Sequence, residues 1–169
     1  MIDLQYPVGL LSPVESLTPE QRTTMIQTIE DCPIQVRAAV AALPEGGLDR
    51  PYRPGGWTAR QVVHHLADSH MNSYVRFRLA LTEDGPTIKP YDEAKWAELA
   101  DAKSASVALS MQLLDVLHAR WVLLLRSIPD EGWSRTLLHP EHGVKDVDWL
   151  LQVYEWHSRH HVGHLRLLS

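Results

Sequence analysis

The sequence predicts an all-α fold, a four-helix bundle with one short extra helix and irregular loops, in a single domain of residues 1–169. Two observations predict it. Four long segments repeat apolar residues at helical spacing, and two of them open on a capping-box pattern. Proline and glycine break the chain between these segments, and no run alternates convincingly as a strand does. Packing four such apolar faces together is the economical way to bury them.

The elements follow in order. Residues 1–13, with Pro7, Gly9 and Pro13, read as extended chain. Thr18-Pro19-Glu20-Gln21 supplies a cap, a proline at the first helical position and a Gln three residues after the cap. The helix it opens runs to about Leu43, disturbed at Pro33 and ended by Gly46 and Gly47. Residues 49–57 form a Pro- and Gly-rich loop. Thr58-Ala59-Arg60-Gln61 repeats the capping pattern and opens a helix to about Thr82, with a stripe of Val62, Leu66, Ser69, Ser73, Phe77 and Ala80. After Gly85, Pro86 and Pro90, one short helix fits Asp92 to about Ala100. Ser104 or Ser106 caps the next segment, whose stripe of Met111, Leu114, Trp121, Leu125 and Ile128 is closed by Pro129. Gly132, Pro140 and Gly143 make residues 130–145 an irregular loop with room for a short strand pair. Asp146 caps the last helix, which runs to about Leu168.

Charge and composition narrow the function. Lys and Arg total 16 against 21 Asp and Glu, a net charge of −5. That balance suits neither a nucleic-acid backbone nor an anionic membrane surface. No apolar run reaches the roughly 18 residues of a membrane span, and the opening residues carry no basic stretch followed by an apolar one. Cys32 is the single cysteine, so it forms no internal disulfide and no multi-Cys metal site, and it reads as a small core residue. The expectation is a soluble, cytoplasmic protein with a small-molecule substrate and no nucleic-acid or membrane partner.

The chain has ten histidines, and seven lie in two windows: His64, His65 and His70, then His157, His160, His161 and His164. With His157 at 0° and about 100° per residue, Leu150 and Leu168 fall at about 20° and His161 at about 40°. His157 and His161 therefore straddle the apolar direction one turn apart, while His160 sits at about −60° on the edge. Two imidazoles at i and i+4 can share one metal ion, and buried imidazoles need some such partner. His65, on the second helix, can complete a three-histidine set that leaves a coordination position open, as catalytic rather than structural sites do. His64 projects about 100° from His65, so the two cannot face one centre.

Blander readings stand beside these. His64 and His70 read as surface or hydrogen-bonded residues. His70 and His142 are expected to be dispensable for metal. His118 reads as a satisfied core histidine, with a fourth ligand as the alternative. His139 and His142 read as solvated or turn-stabilising. The tryptophans read as packing, with Trp156 also able to line a pocket. Asp68 and Glu155 can bond the outer nitrogens of the ligand imidazoles, or stand as solvated helix charges.

The stretch from Tyr52 through Gly55-Gly56-Trp57-Thr58 and His64-His65-Leu66-Ala67-Asp68-Ser69-His70 to Tyr74 resembles the YfiT-like branch of the DinB-like superfamily. So do Pro90-Tyr91-Asp92-Glu93 and Trp156-His157-Ser158-Arg159-His160-His161-Val162-Gly163-His164. The resemblance implies a four-helix bundle of up-down-down-up connectivity, with one zinc or nickel ion per subunit held by His65, His157 and His161. It also implies a homodimer and a metal-dependent hydrolase, with relatives in the wider superfamily that use a low-molecular-weight thiol as S-transferases or as an isomerase. Val116, Leu117 and Val122 add apolar surface beyond the main stripe of their helix and point to a second contact as well. The leading expectation is an enzyme whose ion activates water or a thiol. The alternative is a non-catalytic metal or small-molecule binding protein of a stress response.

Overall fold

A computed structural model describes residues 3–169 of the chain. The first long helix, α1, spans Pro19–Ala41, and its opening follows from the capping box: Thr18 Oγ1 accepts from the Gln21 backbone N–H while Gln21 Oε1 accepts from that of Thr18. The second, α2 (Ala59–Thr82), repeats the device with Thr58 and Gln61. The expected disturbance at Pro33 does not interrupt α1, which carries Pro33 buried inside it. The proline removes one ladder hydrogen bond and leaves the Ile29 carbonyl, four residues earlier, without its helical donor. That carbonyl finds a different donor, described below.

The expected single short helix is two, α3 (Glu93–Ala97) and α4 (Ala100–Ser104), separated where Leu99 turns extended at φ −65°, ψ 155°. The Asp92 carboxylate caps α3 by accepting from the Lys95 backbone N–H. Ser106, rather than Ser104, caps α5 (Val107–Arg126). The loop after it contains an antiparallel strand pair, β1 (Thr136–His139) and β2 (Gly143–Asp146), with Thr136 opposite Asp146 and His139 opposite Gly143. Gly143 takes φ +74° at the turn, a value that favours glycine. Asp146 then accepts from the Trp149 N–H and opens α6 (Val147–Arg166).

Contacts fix the directions of the long helices. Arg22 meets Asp148 and Arg166 meets Gln35, so α1 and α6 run parallel. Arg60 bonds the Ala105 carbonyl and His70 bonds His118, so α2 and α5 run parallel. Arg37 pairs with Asp115 and Arg126 with Glu30, so α1 and α5 are antiparallel, as are α2 and α6. The order is up-down-down-up. Around the bundle, α1 and α2 each pack on both α5 and α6, leaving α1 and α2 across one diagonal.

The apolar interior is two clusters. On α2, Phe77 and Ala80 belong to one and Val62, Val63 and Leu66 to the other, with Ser69, His70 and Ser73 between them. On α5, His118 stands between Trp121 and Leu114; on α6, His157, Ser158 and His161 stand between Tyr154 and Val162. A belt of imidazoles and hydroxyls thus crosses the middle of the bundle.

The segment before α1 runs along α6 in the opposite direction. Its fixings are His164 Nε2 donating to the Gln5 carbonyl (3.1 Å), Trp156 Nε1 to the Gly9 carbonyl (2.9 Å), and a two-way pairing of Val14 with Gln152. A Cβ on Gly163 would sit 2.9 Å from the Pro7 side chain, so glycine is what lets this strap lie close. At its inner end, Arg22 donates twice to the buried Asp148 carboxylate, at 2.7 Å each, and the Leu17 N–H adds a third bond at 3.2 Å. Removing the cation from such a pair leaves a buried charge uncompensated. R22M should therefore lower the unfolding free energy by about 3–5 kcal/mol in urea melts, whereas an effect below about 1 kcal/mol would show the pair to be no more than a surface contact.

Candidate metal centre

Three histidines of the belt converge. One ring nitrogen each from His65, His157 and His161 lie within 4.8 Å of one another. His65 and His157 face each other through their Nε2 atoms at 3.1 Å, with the Ser69 hydroxyl 3.4 Å from the latter. They form the floor of a pocket of about 910 Å³, walled by Trp57, Tyr91, Tyr154 and Trp156 among others. Tyr91 approaches Ser69, and burial pushes its hydroxyl up to about 12, so it stays protonated as a donor.

The protons on these rings follow from their partners. Burial pushes His118 to about 4 and His70 and His157 well below the ordinary imidazole value, so all three are neutral at pH 7. A carbonyl oxygen only accepts. His118 Nδ1, 2.6 Å from the Ile29 carbonyl, therefore donates to it, and His118 Nε2 is left as an acceptor. His70 Nδ1 donates to that atom at 2.7 Å, which leaves His70 Nε2 to accept from His157 Nδ1 at 3.0 Å. The relay ends with a lone pair on His157 Nε2, aimed at the cluster. Its far end is the carbonyl that Pro33 cannot bond. A second, shorter relay serves His161: the Gln5 carbonyl takes the His164 Nε2 proton, His164 Nδ1 accepts from His161 Nδ1 at 3.3 Å, and His161 Nε2 is left with its lone pair.

The other histidine groupings are differently employed. Cys32, His70 and His118 approach one another, but both ring nitrogens of each histidine are in the relay and burial pushes the thiol up to about 12. In the group of His160, His161 and His164, both His164 nitrogens are engaged. At His139, Glu141 and His142, His139 Nδ1 accepts the Glu141 backbone N–H and fixes the hairpin turn. Among the described residues, His65, His157 and His161 are the group drawn from two facing helices of the bundle interior, with the Nε2 lone pairs of His157 and His161 set by their relays and the pocket open to them. Two nitrogens each about 2.0–2.1 Å from a tetrahedral ion lie roughly 3.3 Å apart, and the observed 3.1 Å between His65 and His157 fits that donor spacing.

The remaining expected residues fall as follows. His64 is buried and satisfied away from the cluster, donating to the Ala105 carbonyl and accepting from Ser110. His70 is hydrogen-bonded, one of its two expected readings, but is fully buried rather than at the surface, and its Nε2 bonds His157 Nδ1. His118 is the satisfied core histidine and stands two rings from the cluster. Trp156 lines the pocket and stacks on His160 at 4.3 Å between centroids. Asp68 bonds no imidazole among the described residues; it turns toward α4, and burial, then the charge of Asp101, raises its carboxyl. Glu155 is paired with Arg159 instead. Sequence reasoning missed the roles of His70 and His164 and the pocket position of Tyr91. The spacing of His70 was the available signal: it stands seven residues from both Val63 and Phe77, on the core face.

These lowered values make folding acid-sensitive without any ion. A buried ring that refuses a proton is stabilising above the unfolded value, 6.5, and that stability is lost as pH falls toward the folded value of about 4 for His65 and His118. The metal-free protein should keep a constant Tm above pH 7 and lose it steeply between 6.5 and 4; a flat Tm across that window would contradict the neutral assignment.

Residues 28–165 match the family model of the DinB superfamily. The chain is 48% identical over 171 residues to the "Putative metal-dependent hydrolase YfiT" of Bacillus subtilis (strain 168), covering 99% of this chain and 95% of that one. A protein of Bacillus cereus (strain 03BB102) with the description "Putative metal-dependent hydrolase" is 51% identical over 168 residues, covering 99% and 96%. The solved structure described as "YfiT from Bacillus subtilis is a probable metal-dependent hydrolase with an unusual four-helix bundle topology" matches with a TM-score of 0.94 at 48% identity, covering 98% of this chain and 95% of that one. With a family model spanning most of the chain and relatives similar from end to end, the chain belongs to the DinB superfamily.

Proposed function

We propose that this chain is a metal-dependent enzyme in which His65, His157 and His161 hold one divalent ion per subunit, zinc or nickel. The observation that carries this reading is the convergence of three imidazole nitrogens at the floor of an open pocket. Neutral imidazole suits zinc and nickel, and the donor set contains neither thiolate nor carboxylate. When bound, such an ion supplies a nucleophile at neutral pH by lowering the pKa of the water or thiol it touches.

The chain's own residues do the rest. His70 and His164 hold the two α6 rings by their outer nitrogens, which sets both tautomer and orientation. Trp57 packs against His65 at 4.7 Å between centroids and closes one wall to water. Protonated Tyr91 offers a hydrogen bond to an oxygen of the substrate. Hydrolysis and low-molecular-weight-thiol S-transfer on a small molecule are the two proposed reactions, and both require the same donor set. Access favours an enzyme over a non-catalytic metal or small-molecule binding protein, because the pocket reaches the cluster while His118 and His164 are both committed elsewhere.

Elemental analysis after dialysis against chelator tests the site. Wild-type protein should keep about one equivalent of zinc or nickel and H161A almost none, with helical circular dichroism preserved. H70Q should weaken the ion about 10- to 100-fold. Full metal retention in H161A would overturn the assignment. With the loaded protein, turnover that requires added thiol identifies a transferase, and turnover without it a hydrolase.

A second proposal concerns assembly. Helix α5 is long and apolar enough by length and composition to cross a membrane, in contrast to the sequence expectation. Here its inner face packs in the bundle and takes Val122 into the core, against the expectation for that residue, yet Leu109, Leu113, Val116 and Leu123 form an exposed stripe on the other side. A homodimer covers that stripe. Sedimentation at micromolar concentration should give a dimer that V116E converts to monomer; a monomeric wild type would contradict it.

A further inference from the structure

The pocket has a second polar end. Arg76 follows His65 by eleven residues on α2, so it lies on nearly the same face about 16 Å along the axis. Its guanidinium meets no carboxylate among the described residues: Nη1 donates to the Tyr154 hydroxyl at 3.0 Å and Nη2 to the Lys89 carbonyl at 3.4 Å. Two neutral acceptors hold the fork in place, leave other donors unused and leave its charge unbalanced. Lys145 arrives from β2, its ammonium 5.4 Å from the centre of the Trp149 ring, also without a carboxylate partner among the described residues.

Both cations act on one ring. The His139 imidazole is held below its ordinary pKa by burial first, then by His142 and Arg76, with Lys145 adding to this and Glu141 opposing it. Arg76, Lys145 and His139 all line the pocket whose floor is the three-histidine cluster. Glu93 and Glu141 also line the pocket, yet among the described residues neither forms an ion pair with Arg76 or Lys145. Two half-buried cations thus face the pocket without a paired carboxylate, and an anionic ligand can supply one.

We infer that Arg76 and Lys145 form an oxyanion subsite, and that the small molecule acted on at the three histidines carries a carboxylate or phosphate that docks there. This rests on the metal-dependent reading of the floor. An arginine fork binds either group through two parallel N–H···O bonds, and lysine adds a point charge. Both side chains lean toward the N-terminus of α2, but the longer arginine reaches farther back than the imidazole, so the docked anion and the reacting bond stand on the order of 10 Å apart. The substrate is therefore an elongated anion rather than a compact ester.

Titration calorimetry with inorganic phosphate and with succinate, on the protein as purified, tests the subsite, with metal content measured on the same samples. Wild type should bind at least one of the two. R76M should weaken that binding about tenfold or more and K145M by less, both with unchanged metal content and Tm. If R76M unfolds, R76K keeps the charge, loses the fork and should still bind measurably more weakly. A preference for phosphate identifies a phosphoryl group and a preference for succinate a carboxylate, and both support the subsite. Absence of binding of either anion to wild type, or binding unchanged in R76M, R76K and K145M, overturns it. Metal-replete protein with no Arg76-dependent binding removes the subsite alone. Arg76-dependent binding in protein that cannot be loaded with metal removes the metal reading alone.

Discussion

A neutral imidazole has one donor and one acceptor, and a helical bundle that buries a belt of them must decide where every proton goes. Two backbone carbonyls make that decision here. The Ile29 carbonyl orders His118, His70 and His157 in series, and the Gln5 carbonyl orders His164 and His161. Each series ends in a lone pair at the same spot. A carbonyl held in a helix or in a strap pinned to α6 orients a ring without the rotamer freedom of an Asp or Glu side chain.

The first carbonyl is free only because Pro33 has no N–H to give it. A proline inside a helix costs a ladder bond, and in an isolated α1 it would be a defect. Packed beside α5, the same defect becomes an acceptor in an otherwise dry core. The second carbonyl depends on the strap before α1, which depends in turn on the close approach that Gly163 permits and on the Arg22–Asp148 anchor. Thus features far from the pocket set the orientation of its floor. The belt also splits the apolar core into two clusters, so the bundle accepts a weaker centre to keep a polar one.

Much of this was legible in the sequence. Thr18 with Gln21, Thr58 with Gln61 and Asp146 located three helix starts because a capping box is a local hydrogen-bond pattern. The wheel selected His157 and His161 because helical periodicity alone puts them on the buried face. What escaped required knowledge of the neighbours. The stripe on α2 was drawn through Leu66 and Ser69, and His70 was set aside although Val63 and Phe77 share its face. The fate of the Ile29 carbonyl could not be read, since periodicity says that Pro33 frees it but not which helix answers. Asp68 and Glu155 were on plausible faces, yet a wheel gives direction and not reach. The pairing of the strap with α6 leaves no periodic trace, being made by backbone carbonyls and scattered side chains.

Anomalous diffraction at the metal edge from crystals of the protein as purified tests the central claim most directly. The account predicts one peak per subunit within coordination distance of Nε2 of His65, His157 and His161, with both Nδ1 atoms on α6 still bonded to His70 and His164. A peak at His160 and His164, or at His139 and His142, or coordination through Nδ1 of His157, would contradict it.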